Sequence, residues 1–225
     1  MNYPIAALQH AGLGSSVYAL LRESLITGRF RPNDRLRIRE LAQQLGTSVT
    51  PVRDAILQLA KEQALELRTA RDIRVPVLDR AQYLEIRSIR LALEGLAAET
   101  AASRVSTAQL QQLEANIHAN LDAIHGNDLA TALSLNQSFH FALADIAGMP
   151  LLRSFLDTLW MRTGPLIARA YGEFNERMAI EHHWEVLRAL QAHDSSAARQ
   201  AICTDILDGN EKMLEFIAGG AAAPV

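Results

Sequence analysis

The sequence predicts a mainly α protein, an N-terminal winged helix-turn-helix followed by a C-terminal all-α six-helix antiparallel bundle. Three observations predict it. The stretch Arg39–Ala60, RELAQQLGTSVTPVRDAILQLA, holds two short apolar-periodic runs broken at Gly46. Two strand-like runs rich in Arg follow, and from Asp79 onwards apolar residues recur at helical spacing almost to the end. The charge divides at the same place. Residues 1–78 carry 11 Lys+Arg and 7 Asp+Glu, a net of +4, whereas residues 79–225 carry 11 and 18, a net of −7. A basic head on an acidic body is the footprint of a nucleic-acid reader joined to a second domain. A solvated charge imbalance would look the same on its own.

The head, residues 1–78, is taken in order. Residues 1–13 are weakly patterned and expected to fray. From Ser15 or Ser16, Val17, Leu20, Leu21, Leu25 and Ile26 mark a helix that ends near Gly28. Arg31-Pro32-Asn33-Asp34 reads as a turn. Leu41, Ala42 and Leu45 give a short helix, and Val52, Ala55, Ile56 and Leu59 give a second after Gly46. Ser48 stands at the cap of that second helix, and Pro51 lies in its first turn, where a missing N–H does no harm. Such a pair is a helix-turn-helix, and its second helix can enter a DNA major groove with Thr50 and Arg53 outward. The same spacing also fits an ordinary helical hairpin in a core. Residues 65–69 and 73–77 can pair as strands around Ala70-Arg71-Asp72. That hairpin is a wing whose tip offers Arg68, Arg71 and Arg74 to phosphates or the minor groove, though its turn lacks Gly.

Residues 79–218 read as six helices. The first runs from about 80 to 103 behind Asp79 as cap. The second starts at the capping box Ser106-Thr107-Ala108-Gln109 and ends at Gly126. The third runs from Asp128 to Ala147, and the fourth from 151 to about 170, where Gly164-Pro165 is expected to kink or split it. The fifth covers 175–193, the sixth follows an Asp194 cap, and residues 219–225 read as a disordered tail. Hydrophobic residues are 49% of the chain, enough for a substantial core. No run reaches bilayer-spanning length and no signal pattern opens the chain, so a cytoplasmic protein with no membrane partner is expected. The single Cys203 excludes an internal disulfide and reads as a small core residue.

Polar residues interrupt the apolar stripes of four bundle helices. One stripe reads Leu129, Leu133, Asn136, His140, Leu143, Ala147; another reads Ala179, Ile180, His183, Val186, Leu187, Leu190. A third, Ala198, Ile202, Asp205, Gly209, contains Asp205; a fourth, Ile86, Ile89, Arg90, Leu93, Leu96, Ala97, contains Arg90. An unpaired polar group in a core costs about 1–3 kcal/mol, so inward groups on four helices are expected to meet. Two imidazoles, a carboxylate and an amide oxygen can ligate a divalent transition metal. Arg90 can clamp a carboxylate held there, because its planar fork fits two oxygens. Each residue also has a plainer account: a core histidine bonded to a neighbour, an Asn136–His140 pair bonded to itself, Arg90 bridging Glu94 one turn on. His118, His125, His182 and His193 read as solvated. Trp160, Trp184 and Tyr171 read as packing residues, with Tyr171 also placed to line a pocket.

The run LITGRFRPNDRLRIRELAQQLGTSVTPVRDAILQL resembles the winged helix-turn-helix head of GntR-type bacterial transcription regulators. SIRLALEGLAAETAA, LNQSFHFALADIAG and EHHWEVLRALQAHDSSAARQAI resemble the FCD effector domain of the FadR-like subfamily, and six bundle helices suit its shorter VanR-type branch. The resemblance covers about residues 15–216. It implies DNA contacts at Arg39, Ser48, Val49, Thr50 and Arg53, and on the wing near Thr69, Ala70 and Arg71. Val49 stands where the family often has Arg, and the wing tip lacks the usual Gly, so the operator is expected to differ from the commonest one. The resemblance also implies a metal site at Asn136, His140, His183 and Asp205, with Asn for the family's Asp and Asp for its last His. The implied metal is Zn, Ni, Mn or Fe, and this more oxygen-rich set is expected to lower the affinity for Zn relative to Mn, Ni or Fe. Met149 stands where an Asn often follows the third helix's Gly.

The expectation is a homodimeric, ligand-responsive transcription regulator, most often a repressor in this family, and not an enzyme. Two heads would read the half-sites of a palindromic double-stranded DNA operator. The effector is expected to be a small organic acid whose carboxylate binds the metal and Arg90, shifting the population between arrangements that fit the operator or do not. One rival is a metal-dependent hydrolase with a DNA-binding appendage. It needs a general base beside the metal, and no spare Glu or Asp stands out in the same stripes. The other is an effector-independent DNA-binding protein, favoured if the bundle interior is dry and filled.

Overall fold

Val52, Ala55, Ile56 and Leu59 are buried along one face of helix α3 (Val49–Lys61), and this apolar face seats it against helix α1 (Ala11–Ile26). The computed structural model describes residues 11–69, 71–173 and 180–218. Helix α1 starts earlier than Ser15, and residues 1–10, read above as frayed, lie outside the described residues. Helix α2 (Ile38–Gln44) buries Ala42 and leads to α3 through Gly46, whose φ of +62° is the left-handed conformation that glycine takes without strain. Ser48 takes the N-cap position of α3 with an extended backbone, but its side chain makes no capping hydrogen bond.

The wing forms as a hairpin. Strands β2 (Glu66–Thr69) and β3 (Asp72–Arg74) pair antiparallel, with Leu67 opposite Ile73 and an irregularity between Leu67 and Thr69. Ala70 lies outside the described residues. A short strand β1 (Arg35–Leu36) joins the other edge of β3 and gives the order β1-β3-β2. Two residues are too few for any periodicity, so no spacing pattern marks β1. One expectation fails here. Arg74 is half-buried, with Nε 2.9 Å from Asp72 Oδ1 and Nη1 3.1 Å from Asn33 Oδ1, so it ties the sheet to the preceding turn and is not free at the tip.

The bundle comprises α4 (Arg80–Ala102), α5 (Thr107–His125), α6 (Leu129–Ile146), α7 (Pro150–Glu173), α8 (Glu181–Gln191) and α9 (Ser195–Ala218). Asp79 with Gln82, and Ser106 with Gln109, close reciprocal capping boxes at α4 and α5. Asp128 and Asp194 accept from the backbone N–H groups of Thr131 and Ala197 to cap α6 and α9. Helix α7 runs unbroken through Gly164-Pro165, so of the expected kink or split the split does not occur. Trp160 and Met161 on one side and Leu166 and Ala170 on the other are buried, and this packing outweighs the hydrogen bond that Pro165 removes. Helix α8 begins at Glu181 with Ile180 as its cap, so Ile180 is not helical as expected. Residues 174–179 and the 219–225 tail lie outside the described residues.

The apolar stripe read on α4 is also corrected. Ile89 and Leu96 are each 40% exposed, while the buried face is Tyr83, Ile86, Glu94, Ala97, Ala98, Ala101 and Ala102. Small residues win the inner face because α9 lies close along α4: a Cβ on Gly95 would stand 3.1 Å from Cys203 Sγ. Cys203 itself is half-buried, its thiol 3.6 Å from the carbonyl of Leu91.

The head sits on the bundle through α1 and α7. Arg22 pairs with Asp157, with Nε 2.5 Å from Oδ2, and Arg162 reaches Gln63 at 3.2 Å. Gly164 packs against the backbone of Leu25 and Ile26, and Gly28, at φ +66°, against Ala168. No described helix is long and apolar enough to cross a membrane.

Candidate metal centre and nucleic-acid interface

Helices α6, α8 and α9 bring His140, His183 and Asp205 together, with one ligand-type atom from each lying within 4.8 Å of the others. His140 is 1% exposed and His183 0%, so both rings are enclosed. His140 Nε2 stands 3.2 Å from Asp205 Oδ2, and His183 Nε2 stands 3.6 Å from Asp205 Oδ1. Phe139 stacks flat on His183 at 4.0 Å between ring centroids and fixes its plane. Neither ring nitrogen of His183 has a hydrogen-bond partner. A buried imidazole with both nitrogens orphaned carries a deficit, and a metal ion would satisfy one of the two, so the donor set fits a divalent cation. Asn136 is half-buried on α6, one turn before His140. Asn120 on α5 is fully buried, and both of its amide atoms also lack a partner.

Sequence reasoning missed one member. Glu94, 1% exposed on α4, sends Oε2 to within 2.5 Å of His140 Nδ1 and Oε1 to 2.6 Å from Arg90 Nε. The Arg90–Glu94 bridge weighed above is therefore real, and a carboxylate does stand beside the centre. Arg90 remains close by: its guanidinium lies 4.3 Å over the Trp160 ring, which is 5.1 Å from the His140 ring. Glu94 is already engaged on both oxygens and is not free to act as the base a hydrolase needs.

The electrostatics follow from these contacts. Burial pushes Glu94 up, but Arg90 and His140 outweigh it and hold its carboxyl at about 2. Burial pushes His140 down, yet Glu94 and Asp205 raise it to about 9. Burial lowers His183 to about 4, against the pull of Asp205. Burial acts to raise Asp205, but the hydrogen bond from His140 and the charges of His183, His140 and Arg90 keep it below its ordinary value.

One other expectation is corrected. His182 is paired with Glu185 at 2.8 Å and Asp208 at 2.6 Å, which draws its pKa up against burial; it is not simply solvated. His193 Nδ1 bonds the carbonyl of Ala102 at 2.7 Å and ties the end of α8 to the end of α4. His118 is exposed and meets the edge of Trp184. The side chain of Tyr171 lies outside the described residues.

On the head, Arg39, Ser48, Thr50, Arg53, Thr69 and Arg71 are all exposed. Val49 is half-buried and packs against the core, because its position in the first turn turns it towards α3's apolar face. At the wing tip Thr69 Oγ1 accepts from the Arg71 N–H at 3.2 Å, and the Arg71 carbonyl accepts from Arg35 Nη2 at 2.9 Å, which leaves the Arg71 side chain outward. Arg68 pairs with Glu66 at 3.2 Å.

The FCD domain profile matches residues 85–207, and that of the bacterial regulatory proteins of the gntR family matches residues 13–75. The chain belongs to the GntR family and carries an FCD domain. It is similar to the HTH-type transcriptional regulator McbR of Escherichia coli K12, 31% identical over 210 residues, which span 92% of this chain and 95% of McbR. The HTH-type transcriptional repressor RspR of the same organism is 26% identical over 205 residues, 91% of this chain and 90% of RspR. The solved structure of E. coli McbR/YncC matches with a TM-score of 0.86 at 29% identity, covering 91% of this chain and 98% of that one. The GntR head implies DNA binding and the FCD domain a small-molecule effector. Family membership makes the chain a transcription regulator and not an enzyme.

Proposed function

We propose that this GntR-family chain is a ligand-responsive repressor that binds a palindromic operator as a homodimer and responds to a small organic acid at a metal centre in its FCD domain. The observation that carries the effector reading is His183, fully enclosed with both ring nitrogens unpartnered beside Asp205 and His140. His140, His183 and Asp205 would hold the ion, with Asn136 one turn from His140, and Arg90 would take the effector's carboxylate. The ion would supply a Lewis-acidic anchor for a carboxylate oxygen. Domain limits of 1–78 and 79–218 suit this division of labour.

Arg39, Ser48, Thr50 and Arg53 on the helix-turn-helix, with Thr69 and Arg71 on the wing, would contact DNA. Val49, half-buried against the core, would add an apolar contact such as one with a thymine methyl. Exposed Ile89 and Leu96, seven residues apart on α4, and Leu207 on α9 favour an apolar interface with a second copy. Helix α7 supports communication between the two ends. Trp160 lies under Arg90 and beside His140, and one turn later Gly164 lies against α1 of the head.

The test joins both ends. Protein purified without chelator is assayed for metal and for operator binding, with His140→Ala, His183→Ala and Arg53→Ala beside the wild type. The reading expects bound metal that both histidine variants lose, and operator binding that Arg53→Ala weakens. Operator binding indifferent to Arg53→Ala would sink the DNA assignment, and metal content unchanged in both histidine variants would sink the centre.

A further inference from the structure

Every residue assigned to the metal centre comes from α6, α8 or α9, yet the shortest contact at His140 comes from α4. Glu94 Oε2 lies 2.5 Å from His140 Nδ1, and Glu94 Oε1 lies 2.6 Å from Arg90 Nε. Glu94 is 1% exposed, so no water competes for either oxygen. His140 faces a carboxylate at each nitrogen, Glu94 at Nδ1 and Asp205 at Nε2, but the two are not equivalent. Glu94 is the nearer and is fully enclosed away from the other candidate ligands, so Nδ1 keeps its proton against it, whereas Nε2 lies on the side of Asp205, itself a candidate ligand, and gives up its proton when a metal takes the lone pair.

We propose that Glu94 is a positioning residue of the centre, holding His140 with Nδ1 protonated and Nε2 presented to the metal, and that Arg90 in turn holds Glu94. The proposal rests on the metal-centre reading above. A carboxylate behind a metal-bound histidine fixes ring orientation and raises ligand basicity. Here it also joins the groups assigned to ligand and metal into one chain, Arg90–Glu94–His140. Trp160 packs against both ends of that chain, with Arg90 over its ring and the His140 ring 5.1 Å away. Glu94 lies one turn from Arg90 on the same helix, so Arg90 cannot move far without pulling the carboxylate that orients His140.

The experiment uses the full-length protein, stripped with chelator and titrated with Zn²⁺ against a chromophoric competitor. The set is wild type, Glu94→Ala, Glu94→Gln, His140→Ala, and Glu99→Gln as a control on the same helix whose side chain is 44% exposed. Circular dichroism checks that each variant folds. Glu94→Ala is expected to weaken Zn²⁺ binding about 10- to 100-fold. Glu94→Gln is expected to lose less, since its carbonyl still accepts from Nδ1–H, and it keeps the test open if the alanine variant does not fold. Glu99→Gln should match the wild type. Imidazole ¹⁵N spectra of the Zn-loaded wild type should show His140 protonated at Nδ1 and ligated at Nε2, a signature that a merely structural glutamate would not set. Wild-type affinity in both Glu94 variants, or ligation of His140 through Nδ1, overturns the proposal while leaving the centre intact. Zn²⁺ binding by the wild type no tighter than by His140→Ala overturns the centre itself, and this proposal with it.

Discussion

Gly164→Ala tests whether the head truly rests on the bundle through α7. The substitution carries two opposed terms. Alanine is the better helix former, and the exchange inside a helix is worth about 1 kcal/mol in its favour. Against that, a Cβ at position 164 would stand 2.6 Å from the Ile26 carbonyl oxygen and 2.8 Å from Ile26 Cα, with the Leu25 carbonyl also in the way. These are backbone atoms of α1 and cannot rotate aside. Overpacking of this kind costs about 1–3 kcal/mol, and against an unyielding backbone the upper part of that range applies. The net expectation is a loss of about 1–2 kcal/mol, or a fall in Tm of roughly 2–8 °C at about 2–4 °C per kcal/mol for a chain of this size. Gly14→Ala is the matched control. Gly14 lies in α1 with nothing within 4 Å of its would-be Cβ, so only the propensity term acts and Tm should rise slightly. Thermal unfolding followed by circular dichroism reads both variants. A Gly164→Ala protein that melts at or above the wild type, as Gly14→Ala should, refutes the close seating of α1 on α7.

Three further outcomes follow from the geometry. With His140 raised to about 9 and His183 lowered to about 4, the metal-free protein at pH 7 carries one proton that a metal must displace. Zn²⁺ affinity should therefore rise about tenfold per pH unit from neutrality towards pH 9, and calorimetry in two buffers of different ionisation enthalpy should count about one proton released; no release would contradict the assigned charge state. His183→Phe should remove metal binding yet raise the stability of the metal-free protein by on the order of 1–3 kcal/mol, because it deletes two unpartnered buried nitrogens beside the Phe139 stack; a destabilised variant in chemical denaturation would mean that those nitrogens are satisfied in solution. On DNA, Arg71→Ala should weaken binding about equally across sequences and reduce the slope of log K against log salt by about 1, whereas Arg53→Ala should cost about 1–3 kcal/mol and relax base preference; the reverse pattern would exchange the roles given to wing and helix.

Much of the fold could be read from local chemistry. The caps at Asp79, Ser106, Asp128 and Asp194 each marked a helix start, because a cap is satisfied within four residues. The face of α3 was legible for the same reason, since one periodic stripe meets one partner. The failures share a different cause. Ile89 and Leu96 fit a helical stripe on α4, but α9 approaches so closely that the inner face belongs to glycine and alanine, and the larger side chains stay outside. Gly164-Pro165 read as a kink or split for a helix considered alone, whereas buried neighbours on both sides and the backbone of α1 keep α7 continuous through it. Strand β1 exists only because β3 is there to pair with it.

The site divides along the same line. His140, His183 and Asp205 were legible because each intrudes on an apolar stripe, and an intruder needs a partner whichever helix supplies it. Glu94 was concealed by its neighbour. Arg90 and Glu94 are four apart, and on an exposed face such a pair is an ordinary surface bridge worth a few tenths of a kcal/mol. Nothing local distinguishes that case from the one realised here. The difference is made by Phe139 and Trp160, which enclose the histidines, and by the alanines beyond Glu94, which let α4 sink into the bundle. Once buried, the carboxylate can no longer satisfy itself with water and must take a donor on each oxygen. Arg90 provides one, and of the described residues only His140 provides the other. The same burial that removes Glu94 from the surface thus fixes which nitrogen of His140 faces Asp205, and this step follows from packing density and not from any spacing in the chain.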